Sequence, residues 1–245
     1  MIELLKFSPG NAKLKGIPSL SLPAGYACPF ADKCFSKADQ ITGKITDGPQ
    51  MEFRCFSATM ENIFPATRRQ RHHNFNLLRK LKTVKEMADL IENSLPGNNY
   101  RVIRIHVAGD FFNQTYFDAW SLVAQRNPDT IFYAYTKSLQ YWVARMGQLP
   151  ENFRLTASKG GKLDHLIDEH NLKFAQVVYS EQEAKDLGLE IDHDDKHAYH
   201  GKESFGLLIH GTQAKGSKAG KAKQELANNG WTGYSKNEGP LKKAA

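Results

Sequence analysis

Beyond Asn99 the chain alternates between short apolar runs and amphipathic stretches. Residues 101–107 carry Val102, Ile103, Ile105 and Val107 almost without interruption, which predicts a strand buried on both faces. Residues 116–125 follow with Phe117, Trp120 and Val123 at helical spacing, giving one apolar face. The alternation continues with strands at 131–135, 153–157, 174–179 and 205–209, and helical segments at 139–146, 163–169, 181–187 and 219–228. Strands separated by helices of this length imply right-handed crossovers and a parallel sheet. Upstream, residues 18–22 supply a first strand ending at Pro23, Ala24 and Gly25, and a long helical region covers residues 59–94. Six βα units are too few to close an eight-stranded barrel. The pattern therefore predicts an α/β fold, a partial (β/α)6 TIM-like barrel on a parallel sheet, in preference to an open doubly wound sheet.

The reading is of a single domain over 1–245. It has a first strand and cysteine loop at 1–58, a helical segment at 59–98, repeated βα units at 99–230 and a C-terminal tail at 231–245. Residues 189–203, with Asp192, His193, Asp194, Asp195, His197 and His200, read as a polar surface excursion. The cluster lacks the ordered spacing of a divalent-cation loop, so a solvated loop is the favoured reading.

Charge adds a class of partner. The 245 residues hold 33 basic and 26 acidic side chains, a net charge of +7 with a pI of about 9.2. Such a balance favours acidic partners, nucleic acid first among them. Arg68, Arg71, Arg79 and Lys82 share a helix face with Phe75 in its middle, which suits phosphates and an unstacked base; a solvated charged face is the plainer reading. No run approaches the roughly 18 apolar residues of a membrane span. The start carries Glu3 and lacks a basic region before an apolar stretch, so it does not read as a secretory signal. A cytoplasmic location without a membrane partner is expected.

The candidate chemistry lies in three cysteines, Cys28, Cys34 and Cys55, with five and then twenty residues between them. An odd number precludes a complete disulfide framework. Structural zinc sites pair their cysteines more closely, and zinc would need a fourth ligand such as His72, His73 or His106. An iron–sulfur cluster tolerates three protein sulfurs. Three buried thiols acting as small hydrophobes are the third reading. The cluster is favoured because Pro29, Asp32, Lys33 and Arg54 make poor core neighbours.

Three cysteines in the loop after the first strand of a partial barrel resemble the radical S-adenosylmethionine superfamily. The stretch Val107-Ala108-Gly109-Asp110-Phe111 sits like that superfamily's Gly-Gly-Glu motif. The resemblance implies a [4Fe-4S] cluster on Cys28, Cys34 and Cys55 with one open iron. It implies S-adenosylmethionine as a further cofactor, with Gly109 and Asp110 at its amino group, and an electron donor such as a flavodoxin or ferredoxin. Spore photoproduct lyase, acting on nucleic acid, is the kind of analogue implied. The departures are the wider cysteine spacing and one glycine where two are usual.

The chain also resembles the phage gene product eighty-eight family. The resemblance is carried by Leu20-Ser21-Leu22-Pro23-Ala24-Gly25 with the cysteines, by Arg104-Ile105-His106 leading into Val107–Phe111, by Tyr133-Ala134-Tyr135-Thr136-Lys137-Ser138, and by Ile191-Asp192-His193-Asp194-Asp195. It implies a viral origin and hence the host cytoplasm.

Polar residues just past each strand converge on one mouth of a βα barrel. His106, Gly109 and Asp110 follow one strand, Tyr135, Thr136 and Lys137 the next, then Ser158 and Lys159, Ser180, and His210 with Gly211. Lys137 and His106 are the candidate catalytic residues, and Gly109, Asp110 and Ser158 the candidate cofactor contacts. Two functions stand at this point: a radical enzyme acting on nucleic acid, or a non-catalytic nucleic-acid-binding protein braced by a cluster or zinc.

Overall fold

In the computed structural model, residues 3–10, 14, 16–97, 100–231 and 233 are described. Most of the expected tail, residue 232 and residues 234–245, lies outside them. The first elements form a small antiparallel hairpin, β1 (Ser36–Ala38) and β2 (Ile45–Asp47), turned by Asp39, whose carboxylate accepts from the amides of Ile41 and Thr42. Three helices follow: α1 (Phe56–Ile63), α2 (Pro65–Leu78) and α3 (Val84–Asn93). The break between α1 and α2 falls at Pro65, which lacks an amide hydrogen and so starts a helix readily. A reciprocal cap between Thr83 and Glu86 starts α3.

The alternating half then runs β3 (Val102–Arg104), α4 (Gln114–Arg126), β4 (Ile131–Thr136), α5 (Leu139–Val143), β5 (Phe153–Ser158), α6 (His165–Glu169) and β6 (Phe174–Val178). It ends with α7 (Glu181–Asp186), β7 (Glu190–Ile191), α8 (Lys196–Tyr199), β8 (Phe205–Leu208) and α9 (Lys218–Asn228). Among the described residues, six strands form one parallel sheet in the order β3-β4-β5-β6-β8-β7, curled into a half-barrel.

Residues 18–22, the expected first strand, run parallel beside β3. Arg104 donates its amide to the Pro18 carbonyl, Leu20 to Arg104 and Leu22 to Ala108, with one isolated bridge between Ser19 and Arg104. The sixth strand of the sheet is instead β7, which comes from the segment read as a surface excursion. That reading is corrected here: Asp192 and Asp195 in this segment are buried, and α8 packs against β4 and β5.

Alternation along the strands separates two interiors. Ile103, Phe132 and Ala134 face the helical layer, where Trp120, Phe117, Met87 and Ile91 complete the larger core. Tyr133, Phe205, Ala175 and Tyr199 fill the concave side together with Leu14 and Ile17. Among the described residues, the concave side is filled by aromatic groups and by the Arg104–Asp195 pair.

Among the described residues, no helix is long and apolar enough to cross a membrane.

Candidate site in the half-barrel mouth

A cavity of about 740 Å³ opens at the C-terminal ends of the strands. Its walls are the residues after β3 (His106 to Asp110), Lys137 and Ser158 after and at the end of the next two strands, His210 and Gly211 after β8, the cysteine loop, and one side of α1 and α2. The expected convergence of strand-end residues is therefore met by His106, Gly109, Asp110, Lys137, Ser158 and His210.

Asp110 is a latch between strands. Its carboxylate accepts from the Thr136 hydroxyl at 2.6 Å, the Phe111 amide at 2.7 Å and the Lys137 amide at 2.8 Å. Burial pushes its pKa up to about 6, against the pull of those donors and of the Lys137 charge. Lys137 is buried and gives its ammonium hydrogens to Ser158 O (2.6 Å), Ser158 Oγ (2.9 Å) and Lys159 O (2.9 Å). This arrangement ties β4 to β5 and holds the Lys137 head at the wall. Gly109 has φ +82°, and a Cβ there would lie 2.6 Å from the Leu22 Cβ. The glycine permits the close approach of residues 18–22 to the segment after β3.

His106 is buried between the cavity and the helical layer. Its Nε2 lies 3.1 Å from the Tyr116 hydroxyl, and its ring meets Phe111 edge-on at 4.8 Å. Burial, with the Arg104 charge as the second cause, lowers its pKa to about 3, so the imidazole is neutral near pH 7. Its Nδ1 has no hydrogen-bond partner among the described residues.

The charged group on the concave side was not legible from sequence spacing. Arg104 pairs with Asp195, which also accepts from Tyr133 at 2.9 Å and Tyr135 at 3.4 Å. Nor did spacing show that α1 and α2 contribute a buried pair. Arg71 donates from Nη1 to the Glu61 carboxylate at 2.8 Å and to the Ser57 carbonyl at 3.0 Å. Arg68 is buried as well, and bonds the carbonyls of Gln40, Ile41 and Glu61. The basic stripe expected on this helix is thereby corrected. Two of its four members face inward to bind oxygens, Phe75 packs on the helical core, and Arg79 lies over the Phe75 ring.

The cysteine reading is corrected too. Cys28, Cys34 and Cys55 are free thiols that line the cavity from separate points of the loop, but they do not form a ligand set. Among the described residues, no group of three or more His, Cys, Asp and Glu side chains could hold a metal ion. Burial first, then Asp110 and Cys55, raises Cys28 well above the usual thiol range. Burial and Cys34 push Cys55 up to about 11. Among the described residues these side chains do not form a ligand set for a [4Fe-4S] cluster or a zinc brace, and the resemblance to the radical S-adenosylmethionine superfamily is not shown. The three thiols, each partly exposed, are wall groups of the cavity rather than buried core residues.

Fold and site together define a mixed α/β protein, a half-barrel of parallel strands with a large cavity at its C-terminal strand ends. The chain belongs to the Gene product 88 family, which it matches over residues 4–229. It is similar to the Gene 88 protein of Mycobacterium phage L5, with 27% identity over 209 residues, covering 82% of this chain and 75% of that protein. It is also similar to the Gene 88 protein of Mycobacterium phage D29, with 28% identity over 137 residues, covering 52% of this chain and half of that relative. No solved structure matches the chain. The expectation of a phage family is thus met, and these names state no activity.

Proposed function

We propose that this protein binds a small organic molecule in the half-barrel mouth. The observation that carries the reading is the cavity itself, about 740 Å³ at the C-terminal ends of parallel strands. Ligand sites of small molecules generally span roughly 300–1,000 Å³, and parallel α/β sheets place them at this end. The wall is mixed in the way such sites are. Val107, Ala108, Val177, Leu207 and Ile209 supply apolar surface, and His106, Asp110 and Lys137 supply a few fixed polar groups. Most of the charged groups are already paired: Arg54 with Asp47, Arg71 with Glu61 and Arg104 with Asp195. The ligand that fits is therefore mostly apolar, with one or two polar groups.

Differential scanning fluorimetry of the full chain against a metabolite panel tests this reading. A ligand present at 100 times its Kd stabilises by about 2.7 kcal/mol, which for a chain of this size raises Tm by roughly 5–10 °C. Met60 lines the cavity and is partly exposed, so it marks the opening. Met60→Trp should narrow the opening and abolish the response without lowering Tm in the absence of ligand. A panel that produces no shift, or shifts that Met60→Trp leaves unchanged, would remove the cavity as the binding site.

A further inference from the structure

We infer that Arg104, with Ser19 beside it, forms a subsite of this cavity for an uncharged carbonyl oxygen of the ligand, as carried by a ketone, an amide or a nucleobase. The inference rests on the cavity reading above and adds the chemistry of the polar contact. Arg104 ends β3 and lines the cavity together with Ser19, Tyr135 and Asp195. Its guanidinium is engaged at two nitrogens. Nε donates to the His106 carbonyl at 3.0 Å and Nη1 to Asp195, and the centre of the Tyr135 ring lies 4.9 Å from the guanidinium carbon. These contacts hold the group in place. Nη2 makes no hydrogen bond among the described residues, yet it is not sealed off, because the side chain keeps 13% of its surface accessible on a wall of the cavity.

Ser19 is the second observation. An isolated parallel bridge pairs it with Arg104, and Arg104 pairs in turn with Tyr133, whose side chain fills the concave side. Residues paired across parallel strands project from the same face, so Ser19 and Arg104 stand side by side on the concave wall of the cavity. Ser19 is 3% exposed, and no described residue takes its hydroxyl, which is likewise not sealed off. Buried polar groups are nearly always satisfied, and the exceptions call for a partner. One ligand oxygen at this place would accept from both groups.

Asp195 carries the opposing charge. It neutralises Arg104 and is buried against it, so this wall offers a strong donor with no net positive charge. A carboxylate or phosphate would stand close to the Asp195 carboxylate and be repelled. An uncharged carbonyl meets no such repulsion, and it still gains a hydrogen bond from a charged donor, which is the stronger kind. Val107 and Leu207 pack on the same concave cluster and line the cavity, giving apolar surface to the body of the molecule.

The experiment titrates the full chain into three probes of similar shape, followed by ligand-observed NMR. They are 2-acetylnaphthalene, 2-ethylnaphthalene, which lacks the carbonyl, and 2-naphthoate, which carries a charge. The ketone should bind about tenfold more tightly than either of the others. In isotope-edited infrared spectra its bound carbonyl band should lie below the position found in cyclohexane, where nothing donates to it. Arg104→Lys keeps a cation for Asp195 but removes Nη2. It should erase the ketone preference and return the band towards the cyclohexane position, while the hydrocarbon binds as before. Ser19→Ala should weaken the ketone about threefold and leave the hydrocarbon unchanged. If Arg104→Lys does not fold, the band and Ser19→Ala still decide. Equal affinity for ketone and hydrocarbon, a bound band at the cyclohexane position, or a preference that survives Arg104→Lys overturns the subsite and leaves the cavity reading intact. Tighter binding of the naphthoate overturns the uncharged class in the same way. A chain that binds none of the three overturns the subsite and counts against the cavity reading as well.

Discussion

His106 and Asp110 sit within four residues of each other, and burial moves their pKa values in opposite directions from the usual. In the folded chain His106 titrates near 3, against about 6.5 when unfolded. The folded state therefore binds fewer protons, and the stability present above pH 6.5 is lost as pH falls from there towards 3. Asp110 titrates near 6, against about 3.9 when unfolded. Here the folded state binds more protons, so stability is gained as pH falls from 6 to 4. Each group has a limiting slope of about 1.4 kcal/mol per pH unit, and between pH 6 and 4 the two largely cancel. His106→Gln should therefore leave a net gain in stability as pH falls from 6 to 4, and Asp110→Asn a net loss over the same range. Urea midpoints measured from pH 4 to 7 check both signs, and three identical profiles would show that neither group titrates as its burial requires. The sequence marked both residues by their place after an apolar strand. It did not show that His106 would meet Tyr116 or that three donors would close on Asp110. Tyr116 comes from α4, and Thr136 and Lys137 from the end of β4 and just past it, while only the Phe111 amide is local to Asp110.

At the scale of elements, periodicity located the helices and strands of the second half well, because each buries a face of regular spacing. It did less well where pairing is decided by contact. Residues 18–22 read as a strand and do run along β3, yet their place depends on Gly109, whose positive φ lets the chain approach Leu22. Gly109→Ala adds backbone strain and a close contact with Leu22, and should destabilise by about 2–4 kcal/mol. Urea unfolding measures the loss. A cost below about 0.5 kcal/mol, the size of an ordinary surface substitution, would show that this contact is not what fixes the segment. The hairpin of β1 and β2 escaped notice because its strands are only three residues long, too short for alternation to register. It is held by the Asp39 turn and by the pairing of Arg54 with Asp47.

For the whole molecule, the concave side is organised by Arg104, which ties β3 to the segment before α8 through Asp195. The pair is buried, with Tyr133 and Tyr135 completing the Asp195 carboxylate. Asp195→Ala would leave a buried cation without its partner and should lower stability by about 3–5 kcal/mol. Leu replacing Arg104 in the same chain should recover part of that loss, because removing both charges of a buried pair is far less costly than removing one. If the double variant is no more stable than the single one, the pair is not the link between these parts. The segment containing Asp195 looked like a solvated loop because acidic residues are rarely buried alone. The sequence could not show the arginine waiting across the sheet. By itself it determined the parallel α/β alternation, the family and the strand ends that carry polar residues, since these follow from local spacing and residue type. Only the tertiary structure decided which charges turn inward, that the three thiols line a wall without forming a metal site, and that a cavity opens beside α1. Each of these depends on distances between residues far apart in the chain, and on the cost of burying charge without a partner.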